Sequence, residues 1–107
     1  MASAIARCER RALLSRVAVL TAHLLKWQVQ RDRRSRSWEA TIRLQRREVA
    51  ALLREMPSLR RFLDEGFDEM YRNAVDVAVA ETALTEEDFP RACPFTLDEL
   101  VDEQFLP

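Results

Sequence analysis

The spacing of apolar residues in the N-terminal part of the chain is the feature that most constrains the fold. One line of residues recurs at intervals of four, three, four and three: Leu13, Val17, Leu20, Leu24 and Trp27. This is the repeat of one face of an α-helix. A second line lies beside the first: Leu14, Ala18, Thr21 and Leu25. Because a helix with two adjacent apolar lines needs more than one neighbour, the sequence predicts a central helix over about residues 3–30.

Similar spacing predicts two further long helices and a short one, over about residues 37–55, 59–83 and 97–104. Side chains that can cap a helix stand where these begin, at Ser35 or Ser37, Ser58 and Thr96. The chain's one glycine, Gly66, lies inside the third helix, where it would admit a close neighbour such as a tryptophan. No alternating run bounded by turn residues predicts a strand. We therefore expect a single all-α domain over residues 1–107, an up-down helical bundle of three main helices plus a short C-terminal helix.

An arginine-rich turn, residues 31–36, joins the first two helices and is here called the arginine turn. Folding the two helices back on this turn places His23 opposite Gln45. Gln45 lies on an otherwise apolar line, and a buried amide without a partner is costly. The sequence therefore predicts a hydrogen bond between His23 and Gln45, with Trp27 and Trp38 facing the interior.

The charges of the chain are divided between its two halves. Residues 1–61 carry 15 basic and 5 acidic residues, a net charge of +10, and residues 62–107 carry 2 basic and 13 acidic residues, a net charge of −11. In one small domain we expect the halves to lie side by side, with the arginines facing Asp64, Asp68 and Asp76 of the third helix. A basic half alternatively marks a protein that binds nucleic acid or another polyanion.

Catalysis is not expected from these residues. The chain has one histidine, two cysteines in no metal-ligand spacing and no glycine-rich phosphate loop, so neither a metal nor a cofactor is expected. An enzyme that uses His23 as a general base with Glu39 or Glu48 is the third hypothesis. A structural role for this histidine, which lies on a mostly apolar helix, is favoured over catalysis.

The candidate binding site surrounds the arginine turn and comprises His23, Trp27, Arg34, Arg36, Trp38 and Gln45. Arginine forks and indole planes suit a polyanion, but both tryptophans lie on core lines. We therefore favour a non-catalytic interaction or accessory module that has a protein partner or self-associates, because its wide apolar faces exceed what one small bundle covers. Polyanion or nucleic-acid binding through residues 31–36 is the alternative.

A cytoplasmic protein without a membrane segment is expected. The apolar segment 17–25 is far shorter than the ~20 residues that span a bilayer, and it ends at Lys26 and Trp27 rather than at a small-residue cleavage site. Without a secretory signal, Cys8 and Cys93 are expected to be free thiols, partly buried.

Several strings in the chain resemble those of a known family: HLLKWQ (23–28), RSRSW (34–38), TIRLQRRE (41–48), PSLR (57–60) and CPFTLDELVDEQFLP (93–107). In order and spacing they resemble the bacterial "domain of unknown function 29" family over nearly the whole chain. The resemblance implies a compact helical bundle without an assigned activity, and it places His23, Trp27, Trp38 and Gln45 at motif positions. It also implies a further helix before the position of Met1, so we expect an N-terminally shortened member.

Overall fold

The computed structural model describes the backbone of residues 2–107 and the side chains of residues 7–107. Within these residues all regular structure is helical, which confirms the all-α prediction. The helices are α1 (Ala2–Val29), α2 (Arg36–Glu55), α3 (Leu59–Glu65), α4 (Phe67–Ala80) and α5 (Leu97–Val101). Two 3₁₀ turns, Arg31–Arg33 and Glu86–Asp88, lie in the connections.

The single long helix predicted over residues 59–83 is wrong, because the chain breaks at Gly66 into α3 and α4. Gly66 has φ −97° and ψ 15°, outside the helical values. Its N–H still donates to the carbonyl of Phe62 at 3.0 Å, and its own carbonyl accepts from Met70 at 2.9 Å, so the bend leaves these backbone groups satisfied. The close neighbour is Leu14 of α1 and not a tryptophan, since a Cβ built on Gly66 would stand 3.5 Å from a Leu14 methyl group.

The predicted caps agree with the structure at two of three helix starts. Ser35 accepts a hydrogen bond from the N–H of Trp38 at 3.2 Å and caps α2. Thr96 and Glu99 form the expected capping box at α5, although α5 ends at Val101 and not near residue 104. Ser58 caps nothing with its side chain, because its backbone (φ −63°, ψ −18°) is already helical rather than extended.

Helix α1 is the central helix, as its two apolar lines predict, and it packs against α2, α3, α4 and α5. Its fully buried side chains include Leu13, Val17, Leu20, Leu24 and Leu25. Contacts of Arg16 with Glu48 and of Lys26 with Trp38 show that α2 runs antiparallel to α1. The contacts between Leu14 and Gly66 and between Lys26 and Glu81 show that α4 runs in the direction of α1.

Aromatic side chains and one buried arginine hold the C-terminal segment on the helices. Phe89 and Phe95 are buried, and the ring of Phe105 packs edge-on against Phe95 with centroids 5.8 Å apart. Arg46 of α2, only 3% exposed, donates to the carbonyl of Leu100 at 2.8 Å and to a second carbonyl of α5 at 3.2 Å. Across the described residues, no helix combines the length and the hydropathy needed to cross a membrane.

Candidate functional site

The hairpin of α1 and α2 does not contain the hydrogen bond predicted between His23 and Gln45. The Nδ1 atom of His23 lies 2.9 Å from the carbonyl oxygen of Val19, one turn earlier in the same helix. Since a carbonyl only accepts, Nδ1 carries the proton in this contact. Oε1 of Gln45 is buried without a hydrogen-bond partner among the described residues. The prediction is wrong because His23 finds its partner within its own helix.

His23 is a buried side chain, 9% exposed. Desolvation by burial is the main cause that lowers its pKa, and the charge of Lys26 acts in the same direction. The hydrogen bond to Val19 and the charge of Glu81 oppose this shift. Burial thus favours the neutral imidazole, and the hydrogen bond to Val19 holds the ring against its own helix.

Lys26, which sequence reasoning did not select, joins three helices. Its side chain is 5% exposed, and its Nζ donates to Oε1 of Glu81, just after α4, at 2.8 Å. The same Nζ lies 5.0 Å from the centroid of the Trp38 ring on α2. The hydrogen bond from Lys26 lowers the pKa of the Glu81 carboxyl. The only signal in the sequence is a lysine placed between the core residues Leu25 and Trp27, where a charge needs a partner.

Arg34 closes the C-terminal end of α1. Its Nε donates to the carbonyl of Trp27 at 2.8 Å, which is one of the last carbonyls of the helix and has no partner within it. Its guanidinium group lies 4.9 Å from the centroid of the Trp27 ring, and its Nη2 lies 3.4 Å from the oxygen of Pro107. Arg34 therefore has a structural role.

The two indole rings are half-buried, not fully buried as expected, and each ring is covered by a cation. Lys26 lies over Trp38 and Arg34 lies over Trp27. Of the six residues predicted as a site, the structure brings Trp27 and Arg34 into contact. It places Trp38 against Lys26, leaves Arg36 exposed, and does not bring His23 and Gln45 together.

The expected pairing of the basic half with the acidic third helix is wrong for the arginines of α2 and the arginine turn. Among the described side chains, none of these arginines pairs with Asp64, Asp68 or Asp76. The ion pairs Arg16–Glu48 and Arg43–Glu39 lie within the basic half. Lys26–Glu81, Arg60–Asp98 and Arg61–Glu65 join the halves. The physical reason is that α1 contacts both α2 and α4 extensively and separates them.

One side of α2 carries an exposed line of arginines, at Arg36, Arg43, Arg47 and Arg54. At 3.6 residues per turn these positions fall within about 40° of one another and extend over about 27 Å. Ile42, Arg46 and Val49 form the buried side of the same helix. Leu44, which is 54% exposed, lies beside the line of arginines. These four arginines and Leu44 are here called the outer face of α2.

The arginines of the outer face are largely unpaired. Arg43 lies 3.5 Å from Glu39, one turn earlier. In the part of the chain that the structure describes, Arg36, Arg47 and Arg54 contact no carboxylate. We did not predict this surface from the sequence, although a spacing of seven, four and seven residues between the arginines indicates one side of a helix.

A groove of about 340 Å³ borders the outer face, between α2 and the C-terminal segment. Its apolar lining includes Ile42 and Leu106, and two arginines and two glutamates line its sides: Glu39, Arg43, Arg47 and Glu103. Leu106 is 42% exposed. The outer face and the groove together therefore offer apolar contact inside a mostly basic rim.

Other reactive groups of the described chain are dispersed. No group of three or more histidine, cysteine, aspartate or glutamate side chains among the described residues is arranged to hold a metal ion. Both cysteines are free, as predicted, but Cys8 is exposed and not partly buried. Burial raises the pKa of the half-buried Cys93 thiol, which lowers its reactivity.

The family resemblance is confirmed by comparison with family models. The model described as "Domain of unknown function DUF29" matches residues 3–106. Because the match covers nearly the whole chain, the chain belongs to this family. No curated protein and no solved structure matches the chain.

Proposed function

We propose that this member of the DUF29 family is a non-catalytic module that binds a protein partner through the outer face of α2. The observation that carries the proposal is the line of exposed arginines along one side of α2, roughly 110° around the helix from its buried residues. Most of this charge is not used by the fold, since Arg36, Arg47 and Arg54 contact no carboxylate among the described residues. A row of unpaired guanidinium groups favours an acidic partner.

The apolar part of this surface favours a protein as the partner. Leu44 is more than half exposed and lies beside the line of arginines, and Leu106 and Ile42 line the adjacent groove. Arginine is enriched in protein interfaces and among the residues that contribute most of their binding energy. An exposed leucine beside the arginines adds apolar contact to a protein partner, which a sugar-phosphate backbone does not need.

The state of His23 supports a non-catalytic role. A general base must reach the proton that it abstracts, whereas His23 is buried and its Nδ1 is engaged by Val19. Of the carboxylates proposed to assist it, Glu39 contacts Arg43 and Glu48 contacts Arg16.

Polyanion binding is the second candidate, because the arginine turn continues the outer face. Arg31 and Arg33 are exposed and contact no carboxylate within the described residues. Against it, the chain as a whole has a net charge of −1, and its acidic half would repel a long polyanion. Arg34, which carried this hypothesis, is engaged by Trp27 and Pro107.

The two candidates are distinguished by fluorescence anisotropy with two labelled probes, a helical peptide rich in glutamate and leucine and a DNA duplex. We expect the peptide to bind, and the Arg43→Glu/Arg47→Glu variant to lose binding. The matched control is Arg11→Glu/Arg91→Glu, which makes the same change of charge at exposed positions away from α2 and should keep binding. Binding of DNA alone, lost in the first variant, would favour the second candidate.

Two further parts of the proposal concern the arrangement of the helices and the location of the protein. We interpret the fold as an up-down bundle centred on α1, on the basis of the contacts that set the directions of α2 and α4. We also propose that the protein acts in the cytoplasm. Its free cysteines suit a reducing compartment.

A further inference from the structure

We propose that the partner bound by the outer face of α2 is a second copy of this chain, docked through the exposed acidic face of α4. This inference rests on the proposed function and names the partner of the same surface. Its origin is the divided charge of the chain, +10 over residues 1–61 and −11 over residues 62–107. The fold leaves much of this charge unpaired within one molecule.

The acidic face of α4 consists of Asp68, Glu69 and Asp76, with Arg72 among them. All four side chains are exposed. Within the described part of the chain, none of the three carboxylates forms an ion pair. At 100° per residue, these positions share one side of α4 about 100° wide. The buried residues Met70, Ala74 and Ala78 lie on the opposite side.

The two faces have similar spacing along their helices. On α4, Asp68 and Asp76 are about 12 Å apart along the axis, at 1.5 Å per residue. On α2, Arg36 and Arg43 are about 10 Å apart along the axis, and so are Arg47 and Arg54. A pair of carboxylates can therefore meet a pair of arginines, and long side chains absorb the small difference.

The two faces cannot satisfy each other within one molecule. Helix α1 packs against both α2 and α4 and lies between them, and Lys26 reaches Trp38 on one side and Glu81 on the other. The outer face of α2 and the acidic face of α4 are different surfaces, so the contact between copies is heterologous. Such a contact repeats from copy to copy into a ring or an open chain.

The test is light scattering coupled to size-exclusion chromatography at low ionic strength, with circular dichroism to confirm folding. We expect the wild-type chain to self-associate as its concentration rises. We expect 1 M salt to reverse this, because the Debye length falls from about 10 Å at 0.1 M to about 3 Å at 1 M. Arg43→Glu/Arg47→Glu and Asp68→Lys/Asp76→Lys should each weaken association by about tenfold or more. The first variant leaves two arginines beside two glutamates and so removes the net positive charge of the outer face, and the second makes the acidic face positive.

Mixing the two variants identifies the heterologous contact. The first variant keeps its acidic face and the second keeps its basic face, so the mixture should form a 1:1 heterodimer and nothing larger. Formation of this heterodimer also shows that a loss of self-association in either double variant is not a folding defect, because each variant then presents one intact face.

A wild-type chain that stays monomeric at every concentration would overturn the inference, and so would folded variants whose mixture forms no heterodimer. The proposed function fails separately. A monomer that binds the acidic peptide through α2 refutes only the second copy as partner, whereas a monomer that binds no acidic probe refutes both.

Discussion

The contact between Lys26 and Glu81 makes an asymmetric prediction about stability. Lys26 is buried, with 5% of its side chain exposed, whereas 47% of the Glu81 side chain is exposed. Replacing Glu81 by alanine leaves a buried ammonium group without its carboxylate. Replacing Lys26 by methionine removes the buried charge and keeps a side chain of similar length. We expect Glu81→Ala to lower the free energy of unfolding more than Lys26→Met does.

The magnitudes follow from the geometry of the pair. Breaking a fully buried pair costs about 3–5 kcal/mol, and a hydrogen bond to a charged group contributes about 1.5–3 kcal/mol. Because water reaches Glu81, the lower end applies, and we expect about 1.5–2 kcal/mol for Glu81→Ala. For Lys26→Met we expect less than about 1 kcal/mol, because the sulfur can replace part of the contact of Nζ with the Trp38 ring.

Urea denaturation followed by circular dichroism measures both variants. The double variant Lys26→Met/Glu81→Ala provides the control. It should be no less stable than Lys26→Met alone, since Glu81 has already lost its ion-pair partner when Lys26 is replaced. A larger loss for Lys26→Met than for Glu81→Ala would refute the interpretation of Lys26 as a desolvated charge held by its carboxylate.

Three other outcomes are expected. Arg46→Ala should lower the free energy of unfolding by about 2–3 kcal/mol, because it removes charged hydrogen bonds to α5; urea denaturation measures this, and a change below about 0.5 kcal/mol would contradict it. Gly66→Ala should raise stability by about 0.5 kcal/mol, since the backbone has a negative φ and the new Cβ meets Leu14 at 3.5 Å; a lower melting temperature in calorimetry would show that the bend needs glycine. The lowered pKa of Glu81 stabilises the fold fully above the ordinary carboxyl pKa, and this contribution is lost as the pH falls through the lowered value; the difference in unfolding free energy between wild type and Glu81→Gln should therefore shrink in acid, and a difference independent of pH would contradict it.

The fold class and the central helix were predictable because they depend on periodicity along the chain. Two apolar lines on α1 require neighbours on more than one side, whichever helices supply them. The break at Gly66 was not predictable in this way. Both α3 and α4 have apolar residues in helical register, and only the backbone angles of Gly66 show that the helix ends there.

The candidate site was predicted less well, because its contacts depend on geometry across helices. The sequence places Gln45 and His23 opposite each other, but His23 donates its hydrogen bond to the nearer carbonyl of Val19. Arg34 was selected for its charge, and the structure uses it to close α1. Lys26 was not selected because a lysine in an apolar run gives no sign of which carboxylate will meet it.

The outer face of α2 could be predicted in part. The sequence shows that its arginines share one side of a helix, but only the packing of the helices shows that they are exposed. The spacing of its arginines marks one side of a helix. Within the described part of the chain, Arg36, Arg47 and Arg54 contact no carboxylate, because α1 lies between α2 and the acidic α4. The net charges of the two halves of the chain do not predict which arginines lack a carboxylate partner.

The central claim is that the outer face of α2 is the binding surface. Amide chemical shifts in ¹⁵N-labelled protein, recorded during titration with the acidic peptide, test it most directly. We expect the shifted amides to lie within residues 36–54, strongest around Arg43, Leu44 and Arg47. Shifts that instead cluster at the arginine turn or around His23, with those of α2 unchanged, would contradict the claim.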